Sequence, residues 1–218
     1  MSARRRFDID TALDQMVEVF WCGGFSATSI GDLEKATGLT RPSLYAAFGG
    51  KEQMFLAVLH HYGERYNAHL MVALRHPGSA REALARYFSK LAEQLSDHRL
   101  PPGCLLANTI IEFGSAKEAI GQFVREQLAT IESHFYQTIR RGQIEGEFNQ
   151  HIDPRVFARL LTATAEGMAL LARSDFGEAA LRDIARSALL ALDAPEAAEQ
   201  RFSGGLLGAE AGLARAET

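Results

Sequence analysis

The sequence predicts an all-α protein of about nine helices, and three observations carry that prediction. Apolar residues recur at three- and four-residue spacing through nearly the whole chain. No segment alternates in the two-residue period of a strand, and Gly or Pro marks several of the boundaries between the helical runs. Ser, Thr or Asp followed closely by an acid or a proline opens several of those runs, as helix starts require.

A first amphipathic helix is expected over 9–22, with Ile9, Leu13, Met16, Val17 and Phe20 on one face and Gly23-Gly24 at its end. Ahead of it, Met1 to Phe7 with Arg4, Arg5 and Arg6 reads as a basic arm, either a DNA contact or a solvated tail. Ser29 followed by Asp32 opens a second helix, with the acid in the positive first turn. Gly38 leaves that helix at no steric cost in the left-handed region. Thr40 is placed to cap a third helix and Pro42 sits in its first turn. Leu39, Leu44, Ala47 and Phe48 are expected to point inward, leaving Arg41, Pro42, Ser43, Tyr45 and Ala46 outward or flanking. Two short helices around a turn with Gly, the second with Arg at its start, describe a helix-turn-helix.

That pattern fixes where nucleic acid would lie. Thr28 and Ser29 offer hydroxyl and backbone N–H donors at a helix start, where phosphate is electrostatically favoured. Thr40 has a hydroxyl for the same purpose. Arg41 is the residue suited to a base edge, because a guanidinium can bond guanine bidentately. Pro42 and Ala46 can touch thymine methyls only.

The stretch Thr28-Ser29-Ile30-x-Asp32-Leu33-x-x-Ala36-x-Gly38-Leu39-x-x-x-Ser43-Leu44-Tyr45-x-x-Phe48-x-x-Lys51-Glu52, approached through Phe20-x-x-x-Gly24-Phe25, resembles the TetR/AcrR-type transcriptional regulators over roughly residues 9 to 56. The resemblance implies a DNA-binding unit over residues 1–50, an effector-binding and dimerisation domain over 51–193 and a tail over 194–218. It implies backbone contacts for Tyr45 and Lys51, although Tyr45 read by itself suits packing on the first helix equally. It further implies that the fourth helix, from Lys51 to about His76, carries the regulatory signal to the DNA-reading heads. Two protomers would then meet through their last two helices on an inverted-repeat operator.

The remaining helices follow in order. Ser79 with Glu82 opens one that runs to Ser96. Gly103 to Phe113 is almost wholly apolar and is expected to be buried. Ser115 and Glu118 start a long helix ending near Arg140-Arg141-Gly142, Asp153-Pro154 starts another, and the last spans about 176–192. Tyr62, Tyr66, His69, Tyr87, Phe88, Asn108, Glu112, Phe113 and Phe123 are the polar and aromatic groups suited to a pocket for a mostly apolar small-molecule effector, or to plain core packing. Glu112, beside Ile110, Ile111 and Phe113, must find a partner, a proton or, at a helix end, water. Cys104 follows Pro101-Pro102-Gly103 at a helix start, where the dipole lowers a thiol pKa. Its surroundings are similar to those of some TetR-type regulators that sense electrophiles or oxidants, and a small buried hydrophobe is the other reading.

Composition bounds the rest. The net charge of -4 argues against a non-specific DNA-coating protein. It sits beyond the head, where Arg4, Arg5, Arg6, Lys35, Arg41 and Lys51 are balanced by Asp8, Asp10, Asp14, Glu18, Asp32 and Glu34. No apolar run approaches a membrane span, no apolar core follows the N-terminal arginines as a signal peptide requires, and two cysteines make no disulfide framework. The expectation is a cytoplasmic regulator without cofactor or metal. No nucleophile-and-base set or phosphate loop points to an enzyme.

Overall fold

The computed structural model describes residues 8–113, 118–174 and 176–193. The expectations for the arginine arm, for Ser115 as a cap and for the tail from residue 194 lie outside the described residues. Helix α1 (Ile9–Ala27) is capped by the Asp8 carboxylate, which accepts from the Asp10 N–H. It does not stop at Gly23-Gly24 as expected. Gly24 takes φ 73° and ψ 179°, the chain kinks, and one more helical turn follows.

Helices α2 (Ile30–Thr37) and α3 (Arg41–Phe48) form the expected pair. Ser29 and Asp32 satisfy each other's backbone N–H in a complete capping box, and Gly38 turns the chain at φ 67°. Then α4 (Lys51–Tyr62), a π-helical turn (Gly63–Asn67) and α5 (Ala68–Leu74) follow without a break, as one rod with a widened turn inside it. The body consists of α6 (Ala80–Leu95), α7 (Leu105–Phe113), α8 (Glu118–Ile144), α9 (Pro154–Leu171) and α10 (Glu178–Leu190), with single 3-10 turns after the last two. Taking the rod as one helix, nine helices and no strand stand among the described residues.

Two buried clusters hold these elements. One joins α1 to the rod and to α7 and α8 through Phe20, Trp21, Phe55, Leu59, Tyr62, Leu105, Phe113 and Phe123. The other lies among α5, α6, α8, α9 and α10 around Leu84, Tyr87, Phe88, Phe135, Ile139, Leu161 and Met168. The head thus shares a core with the body, so a shift of α7 is felt by α1 without an intervening linker. Two expectations about burial fail. Ala47 is exposed, since Leu44 and Phe48 fill the space beneath α3. Helix α7 is not buried all round: it packs on α1, α8 and α9 by one side, leaving Ile111 66% exposed and Glu112 exposed on the other.

Candidate nucleic-acid interface and regulatory core

Helix α3 is short and meets the protein mainly through Leu44, which is fully buried, so its outer side is free. Arg41, Pro42, Tyr45 and Ala46 are exposed there, and Ser43 is half-buried. The Arg41 side chain is 61% exposed, its guanidinium 4.0 Å from the Glu34 carboxylate, near enough for weak attraction only. Glu34 was not foreseen in the site. Its Oε1 accepts the Arg41 backbone N–H at 2.5 Å, so a side chain from α2 caps α3 and fixes the angle between the two helices.

Several expected phosphate donors prove to be occupied. Thr28 is buried and its hydroxyl donates to the Gly24 carbonyl at 2.6 Å, closing the kink of α1. The Ser29 hydroxyl donates to Asp32 at 2.6 Å within the capping box. Thr40 stands at the N-cap of α3 but makes no capping bond; its hydroxyl pairs with that of Ser43 at 3.0 Å. These side chains shape the motif before they touch anything else. Lys51 is half-buried, its ammonium 4.3 Å from the Phe25 ring centroid.

At the junction of head and body, the kink at Gly24 interrupts the helical ladder, and the Glu112 carboxylate of α7 accepts the Phe25 and Ser26 N–H groups at 2.8 and 2.5 Å. A Cβ at Gly24 would lie 2.9 Å from the same carboxylate, so only glycine permits this approach. Burial works against the Glu112 charge, but the bonds from Ser26 and Phe25 outweigh it and hold the carboxyl below its ordinary range. Next to it Phe113 packs against Phe25 at 5.2 Å and Phe55 at 6.0 Å. Glu112 therefore ties α7 to the kinked end of α1. On the far side of α1, Asp14 accepts from His61 at 2.7 Å and from Arg65 at 2.8 Å, tying α1 to the rod as well.

The remaining expected effector residues do not share one cavity. Phe88 packs face to face with Phe135 at 5.8 Å and edge-on to Tyr87, inside the body core. Phe123 meets His60 at 4.6 Å near the rod. Asn108 lines a cleft of about 220 Å³ with Trp21, Glu112 and Arg173. His69 is exposed in an open groove of about 600 Å³ that also includes Tyr66, Gln94 and Leu100. Tyr62, Tyr66 and Cys104 form a further group. Tyr62 and Tyr66 stack at 5.3 Å, Trp21 stands edge-on to both, and the Tyr62 hydroxyl lies 3.3 Å from the Cys104 sulfur.

The Cys104 thiol is the reverse of the activated group expected from a helix start. Burial and the nearby Glu166 push it up to about 11, leaving almost no thiolate at neutral pH. Glu166 itself escaped the sequence reading. It lies on α9 with Oε2 buried and unpartnered, and burial pushes its carboxyl up to about 7. The available signal was a single carboxylate between Phe157 and Leu171, a stretch composed mostly of small and apolar residues.

A three-helix head presenting an unpacked second motif helix, joined through a rod to a larger helical body, defines a helix-turn-helix DNA-binding regulator. The chain belongs to the TetR family. Residues 12–58 match the model of bacterial regulatory proteins of the tetR family, and residues 77–189 match that of the tetracyclin repressor-like C-terminal domain. It is 34% identical over 184 residues to the HTH-type transcriptional repressor ComR of Escherichia coli K12, covering 84% of this chain and 88% of that one. It is 29% identical to YezE of Bacillus subtilis 168, an uncharacterised HTH-type regulator, over 88% of this chain and 100% of the other. Among solved structures, a cysteine-substituted form of the TetR family regulator CifR with 26-base-pair operator DNA superposes with a TM-score of 0.81 at 27% identity, covering 88% and 100% of the two chains.

Proposed function

We propose that this chain is a homodimeric repressor that grips an inverted-repeat operator through α3 and lets go when a small molecule binds among the helices behind the head. The observation that carries the reading is the outer side of α3, where Arg41, Pro42, Tyr45 and Ala46 stand exposed on a helix fixed from α2 by Glu34. Arg41 reads a base edge; Pro42 and Ala46 lie against it; Tyr45, Ser43 and Thr40 approach the phosphates. CifR, bound to operator DNA in its own structure, and the repressor ComR support a repressor's role for this chain.

The division of labour is a DNA-binding unit over 1–50, an effector and dimerisation domain over 51–193 and a tail from 194. The dimer forms through α9 and α10, where α9 leaves Val156, Leu160, Ala163 and Leu170 exposed along one side. Release works through the latch: an effector that moves α7 pulls Glu112 away from Phe25 and Ser26 and re-aims the head. It needs only unequal affinity for the two arrangements. The protein binds and does not catalyse, and it acts in the cytoplasm, where its operator is. The buried, protonated thiol of Cys104 gives no support to sensing through that residue.

Fluorescence anisotropy with operator and random duplexes tests the reading. Arg41→Ala should lose about 1–3 kcal/mol on the operator and relax preference at one base pair, with little change on random DNA. Equal losses on both duplexes would remove Arg41 from base reading.

A further inference from the structure

A cleft of about 220 Å³ opens where head and body meet, lined by Trp21 and Cys22 near the kinked end of α1, by Asn108, Ile111 and Glu112 of α7, and by Arg173. It is smaller than the roughly 300–1,000 Å³ of sites for drug-sized ligands, so its occupant is small. Trp21 is only 2% exposed, yet its indole N–H has no acceptor among the described residues. Buried donors are ordinarily paired, so this one calls for a partner. Arg173, in the 3-10 turn Ala172–Ser174, forms no ion pair among the described residues. Its stem is held all the same: a Cβ at Gly103, where φ is 82°, would lie 2.8 Å from Arg173 Cγ, and glycine leaves that space to the arginine.

The opposite charge stands in the same cleft. Glu112 is ionised, and its two oxygens accept from Phe25 and Ser26. An ionised carboxylate offers about four acceptor positions, so it can take a further donor. The Asn108 amide supplies both a donor and an acceptor. An anion alone would face Glu112, and a cation alone would face Arg173. A small molecule with one charge of each sign meets both, and Ile111, 66% exposed, gives its remainder an apolar wall.

We propose that this cleft binds a small apolar α-amino acid, whose carboxylate pairs with Arg173 and accepts from the Trp21 indole, and whose ammonium donates to Glu112 and Asn108. It rests on the regulator reading above and names the chemical class of its effector. The ammonium carries a full charge, where the Phe25 and Ser26 N–H groups carry partial ones, and it competes with them for the Glu112 oxygens. Occupancy therefore loosens the tie between α7 and the last turn of α1, directly ahead of α2. The coupling is reciprocal: DNA, which favours the tied head, weakens amino-acid binding by the same factor.

Trp21 is the only tryptophan, so its fluorescence reports the cleft directly. L-Valine, 3-methylbutanoate (which lacks the ammonium) and L-valinamide (which lacks the carboxylate) are titrated into the full-length wild type, Arg173→Gln and Asn108→Ala. Circular dichroism checks folding, and anisotropy follows a duplex that wild type selects from a random library. L-Valine should change wild-type fluorescence saturably, bind at least tenfold tighter than either analogue, weaken DNA binding and speed amide exchange at Phe25 and Ser26. Both variants should lose at least tenfold in L-valine affinity. Arg173→Gln should bind L-valinamide no worse than wild type does, a pattern that general loosening of the fold would not produce. An analogue that binds as tightly as L-valine, undiminished L-valine affinity in the folded variants, binding without faster exchange at Phe25 and Ser26, or no saturable response of a DNA-binding wild type overturns the amino-acid site. Failure of the wild type to select any duplex overturns the regulator reading instead.

Discussion

The burial of Glu166 has a consequence for stability. A carboxyl raised from 4.5 to about 7 on folding holds its proton more tightly in the folded state. Stability therefore falls as pH climbs from the unfolded value through about 7 and stays lowered above it. Glu166→Gln removes that loss, with a ceiling on the order of 3 kcal/mol. Its melting temperature minus that of wild type should grow from about pH 5 to about pH 8; a difference that stays flat with pH would show that the carboxyl titrates normally. Glu34 and Glu112 are carboxylates of another kind, each accepting backbone N–H groups that local geometry leaves open. None of these three roles was legible in the sequence. The Glu112 partners are 86 and 87 residues away, and Glu34 acts across a turn where Thr40 stands at the expected capping position.

The helix-turn-helix, by contrast, was legible almost residue by residue, because its signals are local: a capping box at Ser29 and Asp32, a left-handed Gly38, a proline in the first turn of α3. The internal bonds of its hydroxyls were not legible, since a free serine or threonine and one already bonded look alike in sequence. The kink of α1 matters more for mechanism. Gly24 opens the ladder, and α7 closes it with a charge. Glu112→Ala leaves the Phe25 and Ser26 N–H groups to water, at a cost of about 1–2 kcal/mol. Amide exchange over residues 25–30 should rise and DNA affinity fall several-fold, while protection in α8 and α9 stays as in wild type. Unaltered exchange near Phe25 would mean that the carboxylate does not hold the turn. The effector site resisted reading at this scale, because aromatic residues at helical spacing serve the core and a pocket equally well. Phe88 packs on Tyr87 and Phe135, and Phe123 on His60, contacts that no helical spacing announces.

At the scale of the molecule, the exposed apolar line of α9 and the two-fold nature of an operator belong together. Val156, Leu160, Ala163 and Leu170 follow one another four, three and seven residues apart on the open side of α9. A contiguous apolar line of that kind is characteristic of a surface covered by a partner. Leu160→Glu should sediment as a monomer and lose at least tenfold in affinity for a full operator while keeping its affinity for a half-site. A dimer that survives the substitution would place the interface elsewhere.

The most direct test of the whole account is selection of bound sequences from a random duplex library by the wild-type protein and by Arg41→Ala. The account predicts that wild type enriches an inverted repeat whose half-sites are centred about one helical turn apart or a multiple of it, and that Arg41→Ala enriches the same repeat with one symmetric pair of positions degenerate. Enrichment of no sequence, of a site without two-fold symmetry, or of the same site with undiminished preference in Arg41→Ala would contradict it.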